Sequence, residues 1–147
     1  MEIEIIISEL DFYLIEKVRE LRIKSSPYLD QVTLAHRIGV SEGYIGSIEN
    51  PKIQSKYNIR MLHRVAKALG LKSYQSLFPD KLLSNDLVKI RLALKNHVKR
   101  KHEIDDKGNV VKRFEILSIT PLNENEFERW NSKDKKNKLD YLKILPS

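Results

Sequence analysis

The chain has 147 residues, 41% of them hydrophobic, with 27 Lys+Arg against 20 Asp+Glu and no cysteine. That length holds one domain or two small ones, with enough apolar residues for a core. The missing cysteine excludes disulfides and thiolate metal sites. With no apolar run long enough to span a membrane and no signal-peptide pattern in MEIEIIISEL, a cytoplasmic chain is expected. The net charge of +7 suits a polyanionic partner. It is unevenly placed: residues 1–80 carry 11 basic against 10 acidic side chains, and residues 81–147 carry 16 against 10.

From the N-terminus, Ile3, Ile5 and Ile7 alternate with Glu2, Glu4 and an apolar Ile6, which predicts a short strand over residues 1–7. A lone strand leaves its backbone groups unpaired and needs a sheet, built either by the C-terminal part of this chain or by the same strand of a second copy. Ser8, with Asp11 three residues on, can cap a helix in which Phe12, Ile15, Val18 or Arg19, and Leu21 or Arg22 follow helical spacing. Pro27 bars helical geometry from Ser26, so that helix ends near Ser25.

The stretch Asp30–Asn50, DQVTLAHRIGVSEGYIGSIEN, holds two short amphipathic helices back to back. Val32, Leu34, Ala35 and Ile38 mark the apolar side of the first, and Ile45 and Ile48 that of the second. Asp30 and Ser41 are suitable N-caps, since a short side-chain oxygen accepts from a first-turn amide. Gly39 suits the left-handed position that ends the first helix. Two helices joined by so tight a turn, with Val40 inward, have the helix-turn-helix form that sets the second helix in a DNA major groove. Asn58 then caps a helix with the apolar stripe Ile59, Leu62, Val65, Ala66 and Leu69, ending at Gly70. Ser73–Phe78 reads as a fifth short helix, with Leu77 and Phe78 closing the core.

These residues resemble the DNA-binding domain of the Cro and phage-repressor (Xre) family. The matching positions are Gln31, Leu34-Ala35, Ile38-Gly39-Val40-Ser41, Tyr44-Ile45 and Ile48-Glu49-Asn50. Val18–Arg22 resembles the end of the family's first helix, and Leu62 with Val65–Gly70 its fourth. The resemblance spans about residues 10–79, with longer loops at Lys24–Leu29 and Pro51–Arg60, where insertions cost little loop-closure entropy. It implies that Gln31, Glu42, Gly43, Tyr44 and Ser47 face the groove. Because the third helix has no Lys or Arg, phosphate contacts would fall to Lys52, Lys56, Arg60 and Arg37; the alternative is that these are solvated surface charges. Gln31 could bond a phosphate or an adenine edge, and Ser47 either a base edge or the backbone. Glu42 can accept only from a cytosine amino group.

After Pro79, Val88, Ile90, Leu92 and Leu94 alternate with Lys89, Arg91, Ala93 and Lys95, a strand pattern. Asp105–Asn109 is a turn signal, and Val110–Thr120 a second β-rich segment, so a long hairpin follows. Its Lys99, Arg100, Lys101, Lys112 and Arg113 form either a basic arm or a solvated end, and the sheet could equally serve dimerisation. Asn123 with Glu126 can cap a short helix carrying Phe127 and Trp130. Ser132–Lys138 reads as a charged flexible run, and Leu139–Leu145 as a segment docking back on the body. His36, His63, His97 and His102 lack metal-ligand spacing, and neither a catalytic constellation nor a cofactor motif is visible.

The expected architecture is α+β: a five-helix helix-turn-helix domain over residues 1–80 with an N-terminal strand, then a basic hairpin region with a short helix and charged tail over residues 81–147. The expected function is a non-enzymatic, sequence-specific DNA-binding regulator. It would bind double-stranded DNA as a homodimer, without membrane or cofactor, and could meet a protein partner through residues 81–147. The alternative is an antitoxin-like or scaffold interaction module using the same fold.

Overall fold

The computed structural model describes residues 1–95 and 103–146. The fold is mixed α+β. Strand β1 (Glu2–Ser8) leads into helices α1 (Glu9–Ile23), α2 (Gln31–Arg37), α3 (Tyr44–Glu49) and α4 (Ile59–Ala68). Strands β2 (Leu87–Leu94) and β3 (Phe114–Pro121), helix α5 (Glu124–Trp130) and strand β4 (Leu142–Ile144) follow. The four strands form one antiparallel sheet in the order β3-β2-β1-β4.

The N-terminal strand finds its sheet within the chain. Ile3, Ile5 and Ile7 lie opposite Leu92, Ile90 and Val88 of β2, and Ile3–Ile5 also pair with β4. Where β1 is covered on both faces it needs an apolar residue on each, which accounts for Ile6: it is buried on the far side, where a small cavity is bounded by Ile6, Trp130 and Tyr141, while Glu2 and Glu4 on the same face stay partly or fully exposed. With neighbours on each side, β1 is not the edge through which two copies would join. One apolar cluster runs from this sheet through Leu14, Ile15 and Val18 of α1 to Leu34, Ile45, Leu62 and Val65 of the small helices. The strand grouped with residues 1–80 therefore pairs with strands from residues 81–147.

The caps follow the sequence in most places. Ser8 Oγ accepts from the Asp11 amide, Asp30 from Thr33, and Asn58 Oδ1 from Met61 at 2.8 Å. Gly39 and Gly70 sit at φ 74° and 68°, where each ends its helix. Helix α3 departs from expectation. Ser41 does not cap it; its carbonyl accepts from Tyr44 in a preceding turn, and Gly43 takes the N-cap without a side-chain bond. Residues 73–78 give one 3-10 turn, Tyr74–Ser76, rather than a fifth α-helix. Its amides bond three residues back, Ser76 to Ser73 and Leu77 to Tyr74, and Pro79 bars helical geometry from Phe78, although Leu77 is fully buried as expected. Ile59, assigned to the apolar stripe of α4, is 85% exposed, and Met61 takes the inward place.

The alternation over residues 87–94 is a strand, with Val88, Ile90 and Leu92 inward, and β3 returns beside it. Asp105–Asn109 is the expected turn, closed by the Asp105 carboxylate on the amides of Lys107 and Asn109, with Gly108 at φ 81°. Asn123 and Glu126 form a reciprocal capping box on α5. The run Ser132–Lys138 folds into a turn around Asp134, whose carboxylate accepts from the Lys136 amide and the Asn137 side chain. Beyond it the chain docks back as β4. His97, Lys99, Arg100, Lys101 and His102 lie outside the described residues. Among the described residues no helix is long and apolar enough to cross a membrane.

Candidate nucleic-acid interface

The geometry of the α2–turn–α3 unit is set by a buried ionic cluster. Arg22, at the end of α1, is fully buried and forks onto Glu49, the last residue of α3: Nε lies 3.0 Å from Oε2, and NH2 2.8 Å from Oε1. Its third nitrogen donates to the Leu29 carbonyl at 2.9 Å, just ahead of α2. One guanidinium thus ties three segments together, using the planar fork that matches a carboxylate. Arg22 NH2 also reaches Glu103 at 3.1 Å, and Arg19 NH2 stands 3.5 Å from the same carboxylate while donating to the Val111 carbonyl. Tyr28 donates its hydroxyl to Glu103.

Two buried arginines thus face two buried carboxylates, and the half-buried Glu16 and Arg113 add one charge of each sign beside them. Burial alone would lower the Arg22 pKa, but the bonds and charges of Glu49 and Glu103 outweigh it and hold it above its ordinary value. Burial would raise the Glu103 carboxyl; the bonds from Tyr28 and Arg22 and the charges of Arg22 and Arg19 hold it below the usual range. Arg19 is less well served: burial first, then the Arg113 charge, lowers its pKa, and its Nε has no hydrogen-bond partner among the described residues.

Sequence patterning does not announce this cluster. Arg19 and Arg22 fall on the helical spacing of the α1 apolar face, and Glu49 ends an apolar turn. Long charged residues at such positions are the visible trace of a buried pair. Nothing local to Glu103 marks it, because the partners that bury it, Arg19, Arg22 and Tyr28, lie far upstream.

The residues expected to meet DNA divide into three groups. Glu42, Gly43 and Ser47 flank the start of α3; Glu42 and Gly43 are exposed and Ser47 half-buried, and a side chain at Gly43 would meet open space. Gln31 and Tyr44 are partly engaged inward. The Gln31 amide donates to Glu49 Oε1 at 3.0 Å, with its own oxygen packed so close to Gly46 that a Cβ there would stand 3.1 Å away. Gly46 is thus the clearance through which α2 and α3 approach. The Tyr44 ring lies against Tyr57 at 6.4 Å, and burial raises its pKa.

The third group, Lys52, Lys56 and Arg60, is exposed. Lys56 Nζ lies 3.7 Å from Asp11, a solvated pair of small worth. Lys52 has its amide fixed by Asn50 Oδ1 at 3.0 Å, which orders the start of the loop. The same loop is held from the other side: the Tyr141 hydroxyl donates to the Pro51 carbonyl at 2.9 Å. The C-terminal segment therefore supports the loop that carries Lys52. Of the basic hairpin residues, Lys112 is exposed, whereas Arg113 turns toward Glu103 at 4.0 Å.

Arg37 is exposed near a basic cleft between α2 and α4, lined also by Arg64, Lys67 and both described histidines. Arg64 donates to the Ile38 carbonyl at 2.9 Å, so its charge complements the end of α2. His63 Nδ1 pairs with the Tyr74 hydroxyl at 2.6 Å. Among the described residues no group of His, Asp or Glu could hold a metal ion. No family model, curated protein or solved structure matches this chain.

Proposed function

We propose that this chain is a non-enzymatic, sequence-specific DNA-binding regulator of the Cro and phage-repressor type, with α2 and α3 as its helix-turn-helix. The observation that carries the proposal is the Arg22 fork: it fixes the end of α3 to α1 and to the start of α2. Gly39 turns the chain between the helices, and Glu42 and Gly43 remain outward at the head of α3. A reader needs such a helix held rigidly on a small body and open on one side. Ser47 and Tyr44 would supply base or sugar contacts, Glu42 a cytosine preference, and Lys52, Lys56 and Arg60 phosphate contacts. Gln31, already bonded to Glu49, would meet DNA only through the remainder of its amide.

A second reading, a protein-interaction module of antitoxin or scaffold type, rests on a specific observation. Helix α3 has only six residues and no Lys or Arg, and the acidic Glu42 stands beside its start.

The two readings part on one titration of the full-length chain. Fluorescence anisotropy with random-sequence duplex, from low to moderate salt, is expected to give micromolar binding that weakens steeply as salt rises. Replacing Lys52 and Arg60 by Ala should flatten the plot of log K against log salt by about 0.9 for each phosphate no longer neutralised. An unchanged slope removes these two side chains from the interface. No binding at the lowest salt refutes the DNA proposal and leaves the interaction module.

A further inference from the structure

We infer that the chain self-associates through the β3 edge of its sheet, with a second copy of itself as the occupant of the apolar groove beside that edge. The inference extends the proposed function, because a reader of this kind binds two half-sites as a dimer.

The four-stranded sheet has two edges of different character. The β4 edge is three residues long with Lys143 at its middle, short and charged in the manner that discourages pairing. The β3 edge is eight residues long, about 27 Å at ~3.4 Å per residue, and its stretch EILSITP contains neither Lys nor Arg. After Phe114 every residue of β3 is exposed, Ile116, Leu117 and Ile119 among them. A long apolar strand with one side unpaired is a template for another strand.

The bulge in β3 adds a second reason. Ile119 lies opposite Ile90 and Ile116 opposite Leu92, so Leu117 is the extra residue without a counterpart on β2. Ile90 and Leu92 are two apart and share the core face, so the bulge brings Ile116 and Ile119, three apart, onto that face together. Helix α1 reaches only the beginning of this face, where Phe12 meets Phe114 at 6.0 Å. Beyond that contact lies a groove of about 860 Å³ between α1, residues 79–84 and β3, with Leu82 wholly exposed in its wall.

The pattern along β3 fits its own reverse. An antiparallel pairing about a two-fold axis between Leu117 and Ser118 sets Ile116 beside the other copy's Ile119, and Glu115 beside Thr120, with no like charges opposed. The groove walls carry both signs, Glu16 and Glu20 on α1 and Lys81 and Lys112 elsewhere. That mixture suits a second copy of the same surface better than a uniformly acidic or basic peptide.

The test is sedimentation velocity of the full-length chain without DNA, so that its result is independent of whether DNA is bound. The wild-type chain is expected to sediment as a dimer at micromolar concentration, and Leu117→Lys and Ile119→Lys as monomers with unchanged circular dichroism. Leu82→Asp, at a side chain that makes no packing contribution to the protomer, should weaken the dimer at least tenfold without touching the fold. Because the chain has no cysteine, Ser118→Cys places a lone thiol beside the axis. It should cross-link to its symmetry mate on mild oxidation, the Cα atoms lying within the ~4.4–6.8 Å that a disulfide spans. Ile59→Cys on α4 should not. A wild-type monomer at the highest attainable concentration, or a dimer that survives both lysine variants and fails to cross-link through residue 118, overturns the inference.

Discussion

Replacing Glu103 by Gln tests whether the buried ionic cluster holds the hairpin region to helix α1. The carboxylate is buried, 3.1 Å from Arg22 NH2 and 3.5 Å from Arg19 NH2, and receives the Tyr28 hydroxyl. At an effective dielectric constant of ~20, each of these ion pairs represents roughly 5 kcal/mol of gross attraction, largely offset by the desolvation of both partners. What the substitution exposes is the penalty for leaving charge uncompensated. A neutral amide at this position would leave two buried guanidiniums facing the single fully buried carboxylate of Glu49, with only the half-buried Glu16 besides, a change that costs about 3–5 kcal/mol when a buried pair loses one member. An amide keeps part of the hydrogen bonding, so the expected loss is ~3 kcal/mol, a large share of the roughly 5–15 kcal/mol that stabilises a typical domain.

Urea unfolding should show this as a lower midpoint with an unchanged slope. The loss should also depend on pH. The Glu103 carboxyl titrates below its ordinary value when folded, so its stabilisation is fully present above the unfolded pKa of about 4.3 and disappears as pH falls through the folded value. The difference between wild type and variant should therefore be flat above about pH 5 and shrink below about pH 4. A loss under about 1 kcal/mol, the range of a surface pair, or a difference that does not change between those pH values, would refute the assignment.

Two further outcomes are expected. Gly39→Ala should destabilise by roughly 1–2 kcal/mol: the added methyl would meet only Arg64 at an ordinary 3.6 Å, so the cost is that of holding alanine at φ 74°. Thermal unfolding checks this, and a neutral result would show that the turn relaxes. Tyr141→Phe should cost about 1 kcal/mol through the lost bond to Pro51. Burial pushes the Tyr141 phenol up to about 12, so docking disfavours its ionised form. Stability should fall between about pH 10 and 12 in wild type, and in Tyr141→Phe that component of the alkaline loss should vanish. Its persistence would place the titration elsewhere.

Much of the fold was legible in the sequence because its signals are local. Ser8, Asp30, Asn58 and Asn123 mark helix starts through bonds that span three residues, and Gly39 and Gly70 mark helix ends through one backbone angle. The alternation through Val88, Ile90 and Leu92 marks a strand through its period of two. Where local signals competed, the sequence misled. Ser41 is as good a cap by type as Asp30, yet the chain turns once more before α3. Ile59 fits the spacing of α4 but lies at the solvent-facing start of its first turn.

Long-range relations were settled only by the tertiary structure. That β1 is an interior strand depends on a seven-residue ladder with β2 and on β4 returning from the far end of the chain, and strand pairing carries no address readable at either strand alone. The position of α3 depends on Arg22 meeting both Glu49 and Glu103. For an arginine, burial and exposure differ in sequence by almost nothing. In the fold they differ by whether two carboxylates converge on it, because only that convergence offsets the cost of taking its charge out of water.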